Sequence, residues 1–486
     1  MIDGTFRDAH PKHFNNSREI CACGEMREII KKVLEQVKPT EADERLVKRA
    51  AEEIVQRMKA ACKKLKIDAK PMLVGSVARG TWLRNERDID IFIMFPKTLS
   101  REDLEHKGLA VAREVACHKG KERFAEHPYV MMEFKGFDVD LVPCYDIAKP
   151  SEIKSAVDRT PHHQRYMRDH LTPELVDEVL LVKKFMDGIG IYGAELKIQG
   201  FSGYLCELLT LHHGSFQKLI EAASEWKPGV VIDHERNYAD KSELGILFRG
   251  QPLVVIDPVD PNRNVAAAVS TQNFAVFVQA CKEFLSKPRM EFFSPKKVKL
   301  LDAQEVRRII ERRGTKIFCV VFETPDLVPD VLYPQLRKTE RTLVARLGQA
   351  GFEVLRSDVW GDSKAVILIE LGASKLAGVQ TRVGPPVTFD AKDFIREHLR
   401  SREKIAGPFV DAAGRVVFEL EREETDAGDV LKRALGERTA FGKHVAEAIK
   451  RNYKIVEDAG LVKLLHDKKF REFISEYLTR RLPWYR

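Results

Sequence analysis

The chain has 486 residues, 44% apolar and 32% charged, with a formal net charge of +8. That composition excludes a disordered chain, and the length suits three or four domains. No apolar run approaches the roughly 20 residues needed to span a bilayer, and the polar start from Met1 to Asn16 has no signal-peptide core, so a cytoplasmic protein with no membrane partner is expected.

Residues 1–25 read as a poorly structured arm. Within it, Cys21-Ala-Cys23 follows His10 and His13, a grouping that offers zinc ligands. Its spacing matches no tight signature, and an ordinary N-terminal extension is the plainer reading. The eight cysteines are scattered and do not make a disulfide framework. From Glu25 to about Lys66 a 3–4 period of apolar residues predicts a helix, then Pro39, then a second helix from Thr40. Ala69 to Gly75 reads as a strand, Arg79 to Leu83 as a helical turn and Asp88 to Phe95 as a strand. Ser100-Arg-Glu-Asp opens another helix, and a hairpin around Lys135-Gly136 joins Tyr129–Phe134 to Phe137–Val142.

Residues from Thr172 to about Lys287 are mostly helical in pattern. One helix ends near Gly188, one runs from Tyr204 to Ile220 and one from Thr271 to Leu285, with a looped section containing Pro252, Pro258 and Pro261 between the last two. A strand at 316–323, a helix from Leu332 to Ala350 and strands at Phe352–Ser357 and Lys364–Glu370 follow. This β-α-β-β order resembles half of a ferredoxin-like or RNA-recognition-type fold. A helix from Asp390 to Leu399 and a hairpin from Phe409 to Glu419 are expected to complete it, with basic helices over 429–482. Trp360, Trp484 and Tyr485 read as packing residues. Residues 1–290 hold 44 Lys and Arg against 43 Asp and Glu, whereas 291–486 hold 37 against 30. The basic excess therefore sits in the C-terminal part, which on charge alone fits a polyanionic partner such as RNA and an ordinary soluble basic surface equally well.

The most informative stretch is Gly75-Ser-Val-Ala-Arg-Gly-Thr-Trp-Leu-Arg-Asn-Glu-Arg-Asp-Ile-Asp90. Two carboxylates at i, i+2 on a strand share a face, and like charges side by side call for a cation between them. The Gly75-Ser76 turn offers N–H groups and a hydroxyl to phosphates. Nucleotidyl transfer through two metal ions needs at least three converging carboxylates. Asp88 and Asp90 supply two. The strand Phe137-Asp-Val-Asp-Leu-Val-Pro143 supplies the third, and strand geometry leaves Asp138 and Asp140 as equal candidates.

Gly-Ser-x-x-Arg-Gly-Thr followed by Asp-x-Asp resembles the nucleotidyltransferase superfamily that includes polymerase beta and the poly(A) polymerases. Further stretches resemble the archaeal (class I) CCA-adding enzymes, the tRNA nucleotidyltransferases. They are Asp140-Leu-Val-Pro-Cys-Tyr145, Ser155-Ala-Val-Asp-Arg-Thr-Pro161-His-His163, Gly190-Ile-Tyr-Gly-Ala-Glu195, Gly200-Phe-Ser-Gly-Tyr-Leu-Cys-Glu207, Asp257-Pro-Val-Asp-Pro-Asn-Arg-Asn264 and Tyr333-Pro-Gln-Leu336. The resemblance covers nearly the whole chain from about residue 25; the arm before it has no counterpart.

That resemblance implies an α+β chain: a polymerase-beta-like nucleotidyltransferase head, a helical central domain, and a ferredoxin- or RNA-recognition-like C-terminal domain with a helical tail. The expected divisions are an extension at 1–25, a catalytic domain at 26–158, a helical nucleotide- and tRNA-binding domain at 159–290 and a C-terminal RNA-binding part at 291–486. The implied reaction adds C, C and A to tRNA 3′ ends from CTP and ATP, with two Mg²⁺ ions held by Asp88, Asp90 and, as third carboxylate, Asp140. Gly75, Ser76 and Arg79 match positions that hold the triphosphate; His163 and Lys183 match further phosphate contacts, with Thr160 adjacent. Tyr192 matches the residue packed on the nucleotide's sugar or base, and Arg263 the base-reading arginine. His162 departs from the aromatic expected before the phosphate-contacting histidine. Taken alone, each has a plainer role: Lys183 and Lys184 as a solvated helix face, His163 as a helix cap, Tyr192 as core, Arg263 bonded to loop carbonyls or Asp260. The implied partners are the acceptor stem and TΨC arm of tRNA, and a homodimer is compatible with the sequence. The alternatives are another template-independent RNA nucleotidyltransferase, such as a poly(A) polymerase, and an inactive RNA-binding relative.

Overall fold

The computed structural model describes residues 16–124, 127–239 and 241–486, with side chains for all of these except 16–23 and 241–243. Of the zinc grouping, His10 and His13 lie outside the described residues, as do the side chains of Cys21 and Cys23. The chain divides into two compact units, one running to Lys296 and taking in Leu482–Arg486, the other spanning Lys297–Arg481.

The first unit opens with α1 (Asn16–Val37) and α2 (Glu41–Leu65). The first helix begins at Asn16, inside the stretch expected to be unstructured. At Thr40 a capping box restarts the chain: the Thr40 hydroxyl accepts from the Asp43 N–H, and the Asp43 carboxylate accepts from the Thr40 N–H.

A mixed five-stranded sheet follows, in the order β1-β2-β5-β4-β3. Its elements in chain order are β1 (Lys70–Val74), α3 (Gly75–Arg79), β2 (Asp88–Pro96), α4 (Arg101–Val115), β3 (Lys121–Phe124), β4 (Pro128–Phe134) and β5 (Phe137–Asp146). The helical turn expected at Arg79–Leu83 falls earlier, because Gly80 in a left-handed conformation ends α3 there. β2 and β5 pair in parallel, and the remaining pairs are antiparallel. Ile89, Ile91 and Ile93 of β2 and Val139 and Leu141 of β5 pack on Ala50, Ile54 and Met58 of α2 and Leu104 and Val111 of α4. Because side chains alternate along a strand, Asp88, Asp90, Asp138 and Asp140 share the opposite face.

The rest of this unit is mostly helical: α5 (Arg159–His170), α6 (Pro173–Gly188), α7 (Gly203–His213), α8 (Phe216–Ser224), the short parallel strands β6 (Val230–Ile232) and β7 (Leu253–Val255) around α9 (Lys241–Leu247), and α10 (Thr271–Ser286). The single helix expected from Tyr204 to Ile220 is two. Gly214, at φ +79°, ends α7, and the Ser215 hydroxyl starts α8 by accepting from the Lys218 N–H. Phe185 of α6 sits among Phe216, Phe284, Phe292 and Phe293, with ring centroids 5.5–5.9 Å away. Trp484 extends this aromatic core: it stacks on Phe292 at 5.2 Å and its Nε1–H donates to Glu283 Oε2 at 2.8 Å.

The second unit comprises α11 (Ala303–Arg313), β8 (Lys316–Glu323), α12 (Pro329–Gln349), β9 (Val354–Gly361), β10 (Lys364–Leu371), β11 (Val379–Pro386), α13 (Lys392–Leu399), β12 (Lys404–Val410), β13 (Arg415–Glu421), α14 (Ala427–Glu437), α15 (Lys443–Arg451), β14 (Tyr453–Glu457) and α16 (Lys468–Thr479). Its main sheet is antiparallel, in the order β14-β8-β10-β9. The strand that completes it is β14, within the run expected to be helical. The hairpin expected in that place forms its own sheet, β11-β13-β12, with Phe394 and Ile395 of α13 packed on Val416, Phe418 and Leu420. Tyr453 and Ile455 turn to the α12–α14–α15 side of the main sheet, and Val456 to the α11–α16 side where Trp360 is buried. Among the described residues no helix is long and apolar enough to cross a membrane.

Trp484 is 1% exposed. Trp484→Ala should therefore destabilise the first unit by about 3–5 kcal/mol, read as an earlier urea midpoint; a loss under about 1 kcal/mol would show that the C-terminal segment is not an anchor.

Candidate active site

The acidic face is built by strand register. β2 and β5 run parallel with Asp88 opposite Asp138 and Asp90 opposite Asp140, while Val74 of β1 lies opposite Asp90. Burial pushes the Asp90 carboxyl up to about 6; the neighbouring Asp88 adds to this and Arg79 opposes it. Asp140 is likewise pushed up to about 6 by burial, then by Asp90, Asp88 and Asp138. Asp88 is raised by burial, Glu86 and Asp138. Among the described residues no three His, Cys, Asp or Glu side chains are drawn into a closed ligand set. The fit to a divalent cation lies in the chemistry instead: carboxylate oxygens on adjoining strands, with Asp90 and Asp140 half-buried and raised by their acidic neighbours, are the donor type a hard cation takes.

Gly75 turns the chain from β1 into α3 at φ +77°, and a Cβ built there would meet Asp90 Oδ2 at 2.1 Å. Only glycine lets the backbone lie this close to the carboxylate. The first turn of α3, which includes Ser76, has no side-chain cap.

Arg79 and Arg263 are anchored on buried carboxylates, Lys183 on a backbone carbonyl. Arg79 donates from Nε to Glu207 at 3.0 Å and from NH1 to Gln164 Oε1 at 2.8 Å. Glu207, fully buried on α7, also accepts from the Thr81 hydroxyl. Lys183 is 1% exposed and donates to the Thr81 carbonyl at 2.6 Å, whereas Lys184 pairs with Asp187. Tyr192 bridges to Phe201, and a Cβ on Gly203 would lie 3.2 Å from its hydroxyl and 3.4 Å from Lys183 Nζ.

His163 Nε2 donates to Asp257 Oδ2 at 2.8 Å, and Arg263 NH1 donates to the same oxygen at 2.8 Å. Arg263 thus bonds Asp257; Asp260 pairs with Arg159. The His163 ring stacks on Tyr204 at 4.0 Å. Burial, then the charges of Asp257 and Glu207, push the Tyr204 phenol up. His162 is also buried, with its Nε2 unpartnered, and burial lowers its pKa. Thr160 sits at the start of α5, its N–H donating to the Val157 carbonyl at 3.1 Å. Asp158 fastens the approach to that helix by accepting from the N–H groups of Tyr145, Lys154 and Ser155.

Glu207, Asp257, Asp158 and Gln164 were not singled out in the sequence. Glu207 ends one stretch quoted above and Asp257 begins another, and the available signal was an acidic residue in an otherwise apolar or proline-rich run.

A small mixed sheet with paired acidic strands and a glycine turn against one of the carboxylates is the framework of a nucleotidyltransferase. Family profiles agree: the nucleotidyltransferase domain matches residues 55–163, the second domain of tRNA nucleotidyltransferases matches 177–294, and the C-terminal domain of CCA-adding enzymes matches 313–458. The CCA-adding enzyme of Methanosarcina acetivorans is 42% identical over 92% of this chain and 97% of its own length. That of Halobacterium salinarum is 43% identical over 87% and 91%, and that of Methanothermobacter thermautotrophicus 38% over 93% and 97%. The chain belongs to the family of CCA-adding enzymes.

Gly75→Ala should lower nucleotide incorporation on the order of 10²-fold in a folded protein, because the added methyl displaces the Asp90 carboxylate by more than an ångström. Incorporation within about twofold of the parent would show that the close approach is dispensable.

Proposed function

We propose that this enzyme adds C, C and A in turn to tRNA 3′ ends from CTP and ATP without a nucleic-acid template. The observation that carries the reading is the β2–β5 register, which sets Asp90 against Asp140 beside the Gly75 turn. Asp88 and Asp90 would hold two Mg²⁺ ions and Asp140 would complete the one that would lower the pKa of the tRNA 3′-hydroxyl, while both would neutralise phosphate charge. The 3′-oxygen attacks the α-phosphate in line and pyrophosphate leaves. Gly75 and Ser76 offer N–H and hydroxyl donors to the triphosphate. Arg79 and Lys183 supply positive charge and hydrogen bonds and His163 a hydrogen bond, with Thr160 beside His163. Tyr192 packs on the sugar or base.

Arg263 is assigned to reading the base, since a fixed guanidinium offers donors to acceptors on C and A. Residues 26–158 are assigned to catalysis, 159–290 to nucleotide and tRNA binding, 291–486 to RNA binding, and 1–25 to an extension; the family matches at 55–163, 177–294 and 313–458 support the first three. The acceptor stem and TΨC arm bind the basic C-terminal part through shape and backbone, so binding weakens as salt rises. The setting is cytoplasmic.

The test uses purified protein, tRNA lacking its 3′ end, labelled CTP and ATP, and Mg²⁺. Two C and one A followed by a stop is the expected product. A long A tail would replace this reading with polyadenylation, and no incorporation would leave an RNA-binding protein. EDTA should abolish addition and excess Mg²⁺ restore it. Asp140→Ala should cost on the order of 10²–10³-fold, as expected for a charge-holding group at the reaction centre, while Asp138→Ala keeps most activity. The reverse ranking would assign the third carboxylate to Asp138.

A further inference from the structure

The loop after β7 contains a carboxylate that the reaction above does not use. Asp257 is fully buried. A buried charge persists only when it is paired and hydrogen-bonded, and both of its oxygens are engaged. Oδ1 accepts from the Val259 N–H at 3.0 Å; Oδ2 accepts from His163 Nε2 and Arg263 NH1, each at 2.8 Å. Burial pushes this carboxyl up, but its partners, His163 first, outweigh burial and hold it below the usual range. The two donors come from different elements, α5 and the 257–263 loop. One is assigned to phosphate, the other to the base.

We propose that Asp257 is a positioning residue whose single oxygen Oδ2 sets the orientation of both His163 and Arg263, and so couples nucleotide choice to triphosphate binding. This rests on the roles given to those two residues above. A guanidinium selects a base only if its fork of donors is fixed. Unanchored, Arg263, whose side chain is 35% exposed, can turn to meet the acceptors of any base. His163 is held from two sides, by Asp257 at Nε2 and by the Tyr204 ring at 4.0 Å, so its remaining nitrogen has one direction. The loop does not need Asp257 to keep its course. Asn264 Oδ1 accepts from the Val255 and Ala266 N–H groups, Asn264 Nδ2 donates to the Leu253 carbonyl, Arg159 pairs with Asp260, and the Tyr238 hydroxyl donates to the Pro261 carbonyl. Selectivity is therefore separable from folding.

The experiment compares the parent enzyme with Asp257→Asn on tRNA lacking its 3′ end, measuring kcat and KM for CTP and for UTP together with the melting temperature. Asp257→Asn is expected to melt within a few degrees of the parent, to raise KM for CTP by about tenfold and to lower the CTP-over-UTP ratio of kcat/KM by about tenfold. A folded variant whose ratio stays within about twofold of the parent overturns the proposal. Should Asp257→Asn not fold, His163→Ala decides: a shared anchor predicts that losing the phosphate-side partner lowers the same CTP-over-UTP ratio by about threefold or more. Unchanged base selectivity in His163→Ala overturns the coupling. A parent enzyme that adds neither C nor A overturns this proposal and the function together, whereas normal addition with unaltered variants overturns this one alone.

Discussion

Like charge held in register is the constraint around which the first unit is arranged. A parallel pairing of β2 with β5 puts Asp90 against Asp140 and Asp88 against Asp138, on strands whose other face is sealed by isoleucine, valine and leucine against two helices. The carboxylates cannot relax apart without slipping the strands, and a one-residue slip would turn the apolar set outward. Repulsion is thus stored on a rigid platform, as a site that takes up cationic charge requires. The Gly75 turn follows from the same constraint, since the chain leaving β1 passes directly over Asp90.

The positive side of the site is organised by a different device. Arginine and lysine have long, mobile side chains, and ordering them costs entropy. Here the cost is met by bonds within the fold. Glu207 holds Arg79 and Thr81, Lys183 bonds the Thr81 carbonyl, and Asp257 holds His163 and Arg263. The Tyr204 ring stacks on His163 at 4.0 Å. Each buried acid is thereby compensated by donors from distant parts of the chain. A similar arrangement stiffens the second unit, where the fully buried Glu370 accepts from Arg313, Thr315, Arg356 and the Tyr477 hydroxyl and is held down at about 2 by these partners against its burial.

The second unit shows where local pattern misleads. The hairpin at β12–β13 has the alternation and turn of a sheet strand pair, and it does form one, but in a separate three-stranded sheet. The main sheet is completed by β14, a five-residue strand flanked by helices. Short strands carry little periodicity of their own; β14 exists because β8 presents an open edge beside it. The break at Gly214 has the same character: the apolar period continues across it, and only the left-handed glycine followed by a serine cap separates two helices.

Spacing along the chain by itself determined that Asp88 and Asp90 share a face, that Asp138 and Asp140 share one, that Gly75 and Ser76 make a turn before them, and that most helices and strands lie where they do, because these are properties of neighbouring residues. The motifs also sufficed for the family. Tertiary structure alone decided which carboxylates stand opposite one another, that Lys183 is buried rather than solvated, and that Arg79 and Arg263 are tied to Glu207 and Asp257. Those pairings join residues distant in sequence, and electrostatic partners are chosen by proximity in three dimensions, for which one chain carries no periodic signal.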